Sequence, residues 1–315
     1  MSKLPHWTIA NIPDQTGKTA IVTGGNSGLG YYTCRALAAR GAQVIMACRD
    51  QKKGLAAARL IQNDFPQACL ELLTLDLADL GSVRSFALAF AENHPRLQLL
   101  INNAGLMATP YRQTADGFEL QLGVNHLGHF ALTGLLLEQL LAAENARIVT
   151  VSSRMHESGT INFEHLNSRR KYERWTAYAQ SKLANLLFAY ELQRRLASRA
   201  FPLISLAAHP GYSATNLQIT GVGLDDNRLL LWMMKIGNAI FAQSAEMGAL
   251  PVLYAAVAPD LRGGDYTGPG GLSGMRGYPL KTQSSPASHD LQVAARLWSV
   301  SEELTGVHYT HLPEQ

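Results

Sequence analysis

Short runs of β-branched and aliphatic residues alternate with longer amphipathic stretches from residue 19 onward. Thr19–Thr23, Gln43–Cys48, Leu70–Leu75, Leu97–Ile101, Ala146–Val151 and Leu203–Ala207 predict six strands. Between them, Leu29–Arg40 predicts a helix closed by Gly41, residues 51–63 a second, and Ser82 the N-cap of a third. Residues 116–143 predict one long Leu-rich helix or two joined ones, and residues 175–197 another. The strands are continuously apolar rather than alternating, as when both faces of a sheet are covered. A β-α-β-α rhythm requires crossovers, so the predicted fold class is α/β: a doubly wound parallel sheet with helices on both faces. After Pro210 the periodicity loosens. Residues 213–245 are apolar but irregular, and 263–277 hold seven glycines in fifteen positions, with no assignable role.

Composition narrows the classes. A length of 315 residues suggests two domains at about 150 residues each, yet no linker or repeat divides the chain. The 47% hydrophobic content excludes disorder, and a net charge of +3 without a basic stripe excludes a nucleic-acid partner. Cys34, Cys48 and Cys69 form no C-x-x-C pair, which argues against a disulfide framework or zinc and for a reducing, cytoplasmic setting. The first residues lack the apolar core of a signal peptide. Glu138 and Lys235 interrupt the most apolar helical stretches before either reaches the ~20 residues of a membrane span.

The turn from the first strand to the first helix reads Thr23-Gly24-Gly25-Asn26-Ser27-Gly28-Leu29-Gly30. Backbone free of Cβ atoms, ahead of a helix N-terminus, is what a phosphate group needs. The spacing is G-x-x-x-G-x-G, with Thr33 where a third glycine of G-x-G-x-x-G would stand; a tight turn that binds nothing is the alternative. The second strand ends at Cys48 and is followed by Arg49, whose guanidinium suits the 2′-phosphate of NADP. Asp50, about 20 residues past Gly30, is the rival residue for the ribose of NAD, and an exposed surface cation is the plain alternative for Arg49.

Tyr178 and Lys182 are four apart near the start of a helix and therefore share a face. An ammonium beside a phenol lowers its pKa from about 10 and suits it to proton transfer with a carbonyl or alcohol. Ser152 and Ser153 end strand five, Asn102-Asn103-Ala104-Gly105 ends strand four, and Pro210-Gly211 follows strand six, all at the carboxyl edge where open sheets bind ligands. Asn125 lies in the helix between strands four and five. Each alone could be a cap or turn residue, the preferred role for Asn102; together they ring one crevice.

This ordered set, TGGNSGLG, NNAG, VN (Val124-Asn125), VSS, YAQSK and HPG, resembles the short-chain dehydrogenase/reductase family, densely over residues 17–212 and more thinly to about 306. The resemblance implies a single Rossmann-like domain with a seven-stranded parallel sheet, spanning 17–306 between an arm (1–16) and a tail (307–315). It implies Tyr178 as acid/base, Lys182 on the nicotinamide ribose, Ser153 on the substrate carbonyl, and Asn125 holding a relay water. Ser153 is preferred over Ser152 as the second serine of the strand-five motif. Cofactor contacts are implied at Gly24, Asn26, Ser27, Gly28, Leu29 and Gly30 of the turn, and at Arg49, Asp76 and Leu77. Asn103, Ala104 and Gly105 complete them with Tyr178, Lys182, Pro210 and Gly211. ACRD (47–50), NHLGHF (125–130), YAQSKLANLLF (178–188) and WTIANIPDQTGK (7–18) are most similar to the retinol dehydrogenase-like branch, which prefers NADP(H). Protochlorophyllide reductase shares the ACRD flavour, but its YKxSK motif and cysteines are unmatched, leaving a double-bond reductase as a remote alternative.

The expectation is an NADP(H)-dependent oxidoreductase moving a hydride between nicotinamide and a lipophilic carbonyl or alcohol, as a homodimer or monomer. A non-catalytic dinucleotide sensor is the rival on the same fold. Leu217, Trp232, Phe241 and neighbours in 217–241 read equally as an apolar lid over the substrate or as a packed or dimer-contact helix. The 25-residue gap between Ser153 and Tyr178 carries Arg169-Arg170-Lys171, read as a solvated loop. No metal is expected. His156-Glu157 lacks the second histidine of H-E-x-x-H, and no carboxylate or cysteine joins His126 and His129. Gly211–Thr215 lacks the last glycine of a nucleophile elbow.

Overall fold

A computed structural model describes residues 6–167, 169–199, 201–212 and 243–312; the 217–241 stretch read as a lid lies outside the described residues. The strands are β1 (Thr19–Thr23), β2 (Gln43–Cys48), β3 (Leu70–Thr74), β4 (Leu99–Asn102), β5 (Ala146–Val151), β6 (Leu203–Ala208), β7 (Tyr266–Gly271) and β8 (Arg276–Thr282). They form one sheet in the order β3-β2-β1-β4-β5-β6-β7-β8. Pairings from β3 through β7 are parallel, and β8 is antiparallel to β7. Strand order reverses at β1, which pairs β2 on one side and β4 on the other; a ligand crevice opens at such a switch point.

The expected seven strands are eight. The glycine-rich segment supplies the difference, because Leu272, Ser273 and Gly274 take positive φ (47°, 54° and 81°) and turn β7 back as β8. Pro269 and Pro279 lie opposite each other in that hairpin. Proline donates no ladder hydrogen bond, and these two are tolerated because Pro279 is on the edge strand β8 and Pro269 lies past the last pairing of β7 with β6; a segment so rich in glycine and proline carries no strand signature.

Alternate residues of each strand enter separate cores. On one face Ile21, Ile45, Leu100 and Ile148 pack with α3 (Leu80–Asn93), α5 (Gly128–Leu135), α6 (Leu137–Leu141) and α7 (Arg174–Ala197). On the other, Val22, Met46, Ile101 and Val149 pack with α1 (Gly28–Ala38), α2 (Gln51–Asp64) and α8 (Ala245–Val257). Residues set apart as a tail reach the first of these cores: Val307, Tyr309 and Leu312 are buried, and Tyr309 donates its hydroxyl to the Phe130 carbonyl at 2.7 Å. They pack beside Trp298 of α9 (Leu291–Thr305).

Two helix starts differ from the pattern reading. Asp79, not Ser82, caps α3, its carboxylate accepting from Gly81 and Ser82 amides; the Ser82 hydroxyl instead accepts from the Asp76 amide at 3.0 Å. The 116–143 stretch becomes α4 (Leu120–Leu122), a wide π turn over Gly123–Leu127, then α5 and α6. Single π turns inside helices are frequent at functional sites, and this one carries Asn125.

Candidate active site

The glycine turn is built for an occupant. Gly24 takes φ +69°, and its amide donates to the Ala47 carbonyl at 2.7 Å, bending the chain away from β1. A Cβ on Gly30 would stand 2.3 Å from the Gly24 carbonyl oxygen, so the helix rests directly on the turn. Ser27 stands at the N-cap of α1 with no side-chain capping bond. The first-turn amides, with the positive end of the helix dipole, are thus available to an anion. This cradle fits a dinucleotide pyrophosphate.

Gly24, Asn26, Ser27, Gly28, Leu29, Gly30, Arg49, Asp76, Leu77, Asn103, Ala104 and Gly105 all line one cleft of about 500 Å³. Thr23 organises its floor: the hydroxyl accepts the Asn103 and Ala104 amides, each at 2.9 Å, and the Asn103 side chain donates to the Thr23 carbonyl. The Thr23 hydroxyl also meets His129 Nε2 at 2.9 Å, while His129 Nδ1 faces the Asn125 carbonyl at 3.1 Å. A carbonyl only accepts, so Nδ1 is the protonated nitrogen and Nε2 takes the Thr23 proton. Burial holds His129 down to about 4, keeping it neutral.

At the adenosine end, the Arg49 side chain is 76% exposed and reaches Asp76 only at 3.7 Å, so it is not committed to an internal partner. Asp50 is committed. Its carboxylate caps α2 through the Lys53 amide at 3.0 Å, which holds its pKa below the usual value. Lys53 also lines the cleft, its ammonium 3.4 Å from Asp50.

Beyond the other end of the cleft lie the acid–base candidates. A Cβ on Gly105 would sit 3.0 Å from Asn125 Oδ1 and 3.5 Å from Lys182 Nζ, so the cleft floor touches both residues. Asn125 is fully engaged: Oδ1 accepts from the Leu106 amide at 2.7 Å, and Nδ2 donates to the Leu106 carbonyl and the Ser181 hydroxyl. Lys182 Nζ donates to the Val151 carbonyl at 3.1 Å and stands 5.8 Å from the Tyr178 ring centre. The Ser153 hydroxyl stands beside the Tyr178 phenol, where it favours the ionised form, and accepts the Met155 amide at 3.3 Å, whereas Ser152 turns away to the Lys182 carbonyl at 2.7 Å.

The expected lowering of the phenol by the ammonium is not what the site shows. Burial pushes Tyr178 up to about 12, with the Ser153 hydroxyl pulling the other way, and burial holds Lys182 down to about 8. Both groups are enclosed, and the cost of desolvating a charge sets the direction of each. Pro210 and Gly211 do not line the cleft; past the end of β6, Gln243 donates to the Pro210 carbonyl and Gly211 packs on Met275 of the β7–β8 hairpin.

Sequence reading missed Lys53, Thr109 and Arg112 as lining residues, and Thr23 and Ser181 as organisers. Lys53 had a signal, one turn past Arg49. Thr109 and Arg112 had none, because their loop has no periodicity and only the fold turns it over the cleft. Asn102 serves structure, donating to Thr133 at 3.1 Å. His126 and His129 are buried without a metal set: no group of three potential ligands occurs among the described residues.

Residues 18–221 match the short chain dehydrogenase family. Retinol dehydrogenase 12 of Homo sapiens is 43% identical over 294 residues, 93% of this chain and 88% of the relative. Retinol dehydrogenase 13 of Homo sapiens is 41% identical over 314 residues, 97% and 89% of the two chains. The crystal structure of an uncharacterized protein from Mycobacterium paratuberculosis superposes with a TM-score of 0.80 at 47% identity, covering 97% of this chain and 99% of that one. With its parallel switch-point sheet, glycine cradle and paired Tyr178 and Lys182, the chain belongs to the short chain dehydrogenase family of oxidoreductases, in its retinol dehydrogenase-like branch.

Proposed function

We propose that the chain is an NADP(H)-dependent carbonyl reductase, or the reverse alcohol dehydrogenase, acting on a lipophilic aldehyde, ketone or retinoid- or terpenoid-like alcohol. The carrying observation is the grouping of Ser153 and Lys182 beside Tyr178, at the end of a cleft whose glycine turn suits a pyrophosphate. The turn would hold the phosphates, Arg49 would take the 2′-phosphate with Lys53 beside it, and Lys182 and Asn103–Gly105 would hold the nicotinamide half, which when bound would supply or accept a hydride at the substrate carbon. Ser153 orients the substrate oxygen, and Tyr178 passes the proton to or from it.

A phenol pushed up to about 12 is protonated at neutral pH, the form that donates a proton to a carbonyl oxygen. Asp50 supports the choice of NADP, because its carboxylate is spent on capping α2. Lipophilic substrates are supported by the exposed Trp175, whose ring meets Tyr178 edge-on at 6.5 Å, and by the names of the relatives. A cytoplasmic location rests on three free cysteines; no helix among the described residues is long and apolar enough to cross a membrane.

NADPH oxidation against a panel of aldehydes and ketones tests the reading. Tyr178→Phe should bind NADPH as wild type does and lose on the order of 10²- to 10⁴-fold in kcat. Turnover retained in that variant overturns the acid–base assignment, and a chain that binds NADPH but reduces nothing is the sensor.

A further inference from the structure

His156, whose spacing to Glu157 fits no metal motif, is buried, and its two ring nitrogens have partners of opposite kind. Nδ1 lies 2.6 Å from the Ser153 carbonyl oxygen, which only accepts, so Nδ1 carries the proton. Nε2 receives the Ser285 amide at 3.1 Å, which only donates, so Nε2 carries none. The ring is therefore neutral and held in a single tautomer.

Both ends of this bridge are anchored. Ser285 is tied down by Ser288, whose hydroxyl donates to the Ser285 carbonyl at 2.6 Å. Neighbouring Ser284 shares a 2.8 Å hydrogen bond with the hydroxyl of Tyr190. Tyr190 belongs to α7, the helix that also carries Tyr178 and Lys182. A chain of hydrogen bonds results, from α7 through Ser284–Ser285 to His156 and on to Ser153, whose hydroxyl stands beside Tyr178 of the same α7.

We propose that His156 is a positioning residue for Ser153, a neutral imidazole that ties the Ser153 backbone to the 284–288 loop and so places the Ser153 hydroxyl beside Tyr178. The proposal deepens the acid–base reading of Ser153 and Tyr178 and rests on it. Protonation breaks the bridge, because a second proton on Nε2 would face the Ser285 N–H, donor against donor. The groups facing the ring are Arg154 and Glu157 from its own turn, Tyr266 of β7 edge-on at 5.8 Å, and His209 after β6. Burial lowers the pKa of His156 below the usual 6.5, outweighing the bond to the Ser153 carbonyl and Glu157, which favour the imidazolium, while Arg154 opposes it. The bridge therefore holds at neutral pH and is lost as pH falls through that lowered value.

The test compares wild type, His156→Asn, His156→Ala and Ser153→Ala from pH 8 downward, reading kcat and KM with one aldehyde that wild type reduces, NADPH affinity by fluorescence, and Tm. Asparagine keeps a donor near the Nδ1 position and cannot titrate. His156→Ala should lower kcat about 10- to 100-fold, the scale of a small misplacement, with NADPH affinity within about twofold. His156→Asn should recover part of that loss and remove the acid limb of the kcat profile. A wild-type acid limb left unchanged in His156→Asn, or an unchanged kcat in His156→Ala, overturns the proposal. Full turnover in Ser153→Ala instead overturns the acid–base reading, whatever His156 does. If neither His156 variant folds, ¹⁵N shifts of wild-type histidine decide: Nδ1–H with bare Nε2 at pH 7 is expected, and the opposite tautomer or an imidazolium overturns the bridge.

Discussion

Gly30→Ala sets helix propensity against packing at the cofactor cradle. Gly30 lies within α1, and in an open helix alanine would be favoured by about 1 kcal/mol. Here the added Cβ would stand 2.3 Å from the Gly24 carbonyl oxygen, 2.8 Å from its carbon and 2.7 Å from Asn103 Nδ2. An ordinary contact needs at least 3.4 Å, so the carbonyl would have to retreat by about 1 Å. It has little room, because the Gly24 amide is bonded to Ala47 and the Gly24 Cα faces Ala104. Asn103 cannot swing away without giving up its 2.7 Å bond to the Thr23 carbonyl. Overpacking of this kind costs about 1–3 kcal/mol, and more where backbone must move. The clash offsets the propensity gain, leaving a net loss of up to about 2 kcal/mol. Displacing the turn also moves the amides that would meet the pyrophosphate, each worth about 1.5–3 kcal/mol with a charged acceptor. NADPH affinity should therefore fall at least tenfold, since about 1.4 kcal/mol is a factor of ten. Urea unfolding of the free protein and fluorescence titration with NADPH measure the two effects. A variant more stable than wild type, or one that binds NADPH as tightly, would refute the reasoning about the turn.

Three further outcomes follow from other parts of the molecule. Arg49→Ala should weaken NADPH at least tenfold, the scale of one charge-assisted hydrogen bond, and leave NADH nearly unchanged; equal weakening of both by titration rules out a 2′-phosphate role. His126 and His209 are held down to about 3 and His129 to about 4 by burial, so between pH 6.5 and 4 the unfolded chain binds protons that the folded one does not. Stability is then fully present above pH 6.5 and falls as pH drops, by about 1.4 kcal/mol per pH unit for each histidine. Urea midpoints that do not move between pH 7 and pH 5 would contradict this. Tyr309→Ala removes a buried ring packed on Phe130 and Trp298 and should cost about 3–5 kcal/mol in urea unfolding; a loss below about 1 kcal/mol would place residues 307–312 outside the core.

Legibility of the fold tracked the range of the interactions that make it. Strands β1, β2 and β5 stand where their apolar runs predict, because a strand covered on both faces writes its burial into consecutive residues. The turn at 24–30, the NNAG end of β4 and the Tyr178–Lys182 pair were readable for a similar reason. A phosphate cradle or a shared helix face is satisfied within a few residues, so spacing alone expresses it.

Contacts between distant segments were not written in any local pattern. The β7–β8 hairpin pairs strands rich in glycine and proline, and it forms because three consecutive positive-φ residues turn the chain back on itself. The α3 cap passed from Ser82 to Asp79 because both are good caps, and the need of the Asp76 amide for an acceptor took Ser82. The ionisation of Tyr178 and Lys182 reversed its expected direction for the phenol, since spacing tells that two groups are neighbours but not that both are enclosed. The chain of hydrogen bonds from Tyr190 through Ser284, Ser285 and His156 to Ser153 joins residues up to 129 positions apart. Sequence by itself determined the parallel sheet, the glycine turn and the identity of the acid–base candidates, because each expresses short-range periodicity or spacing. Only the tertiary structure decided what surrounds those candidates, because burial and hydrogen-bond partnership depend on which far-separated segments the sheet order brings together.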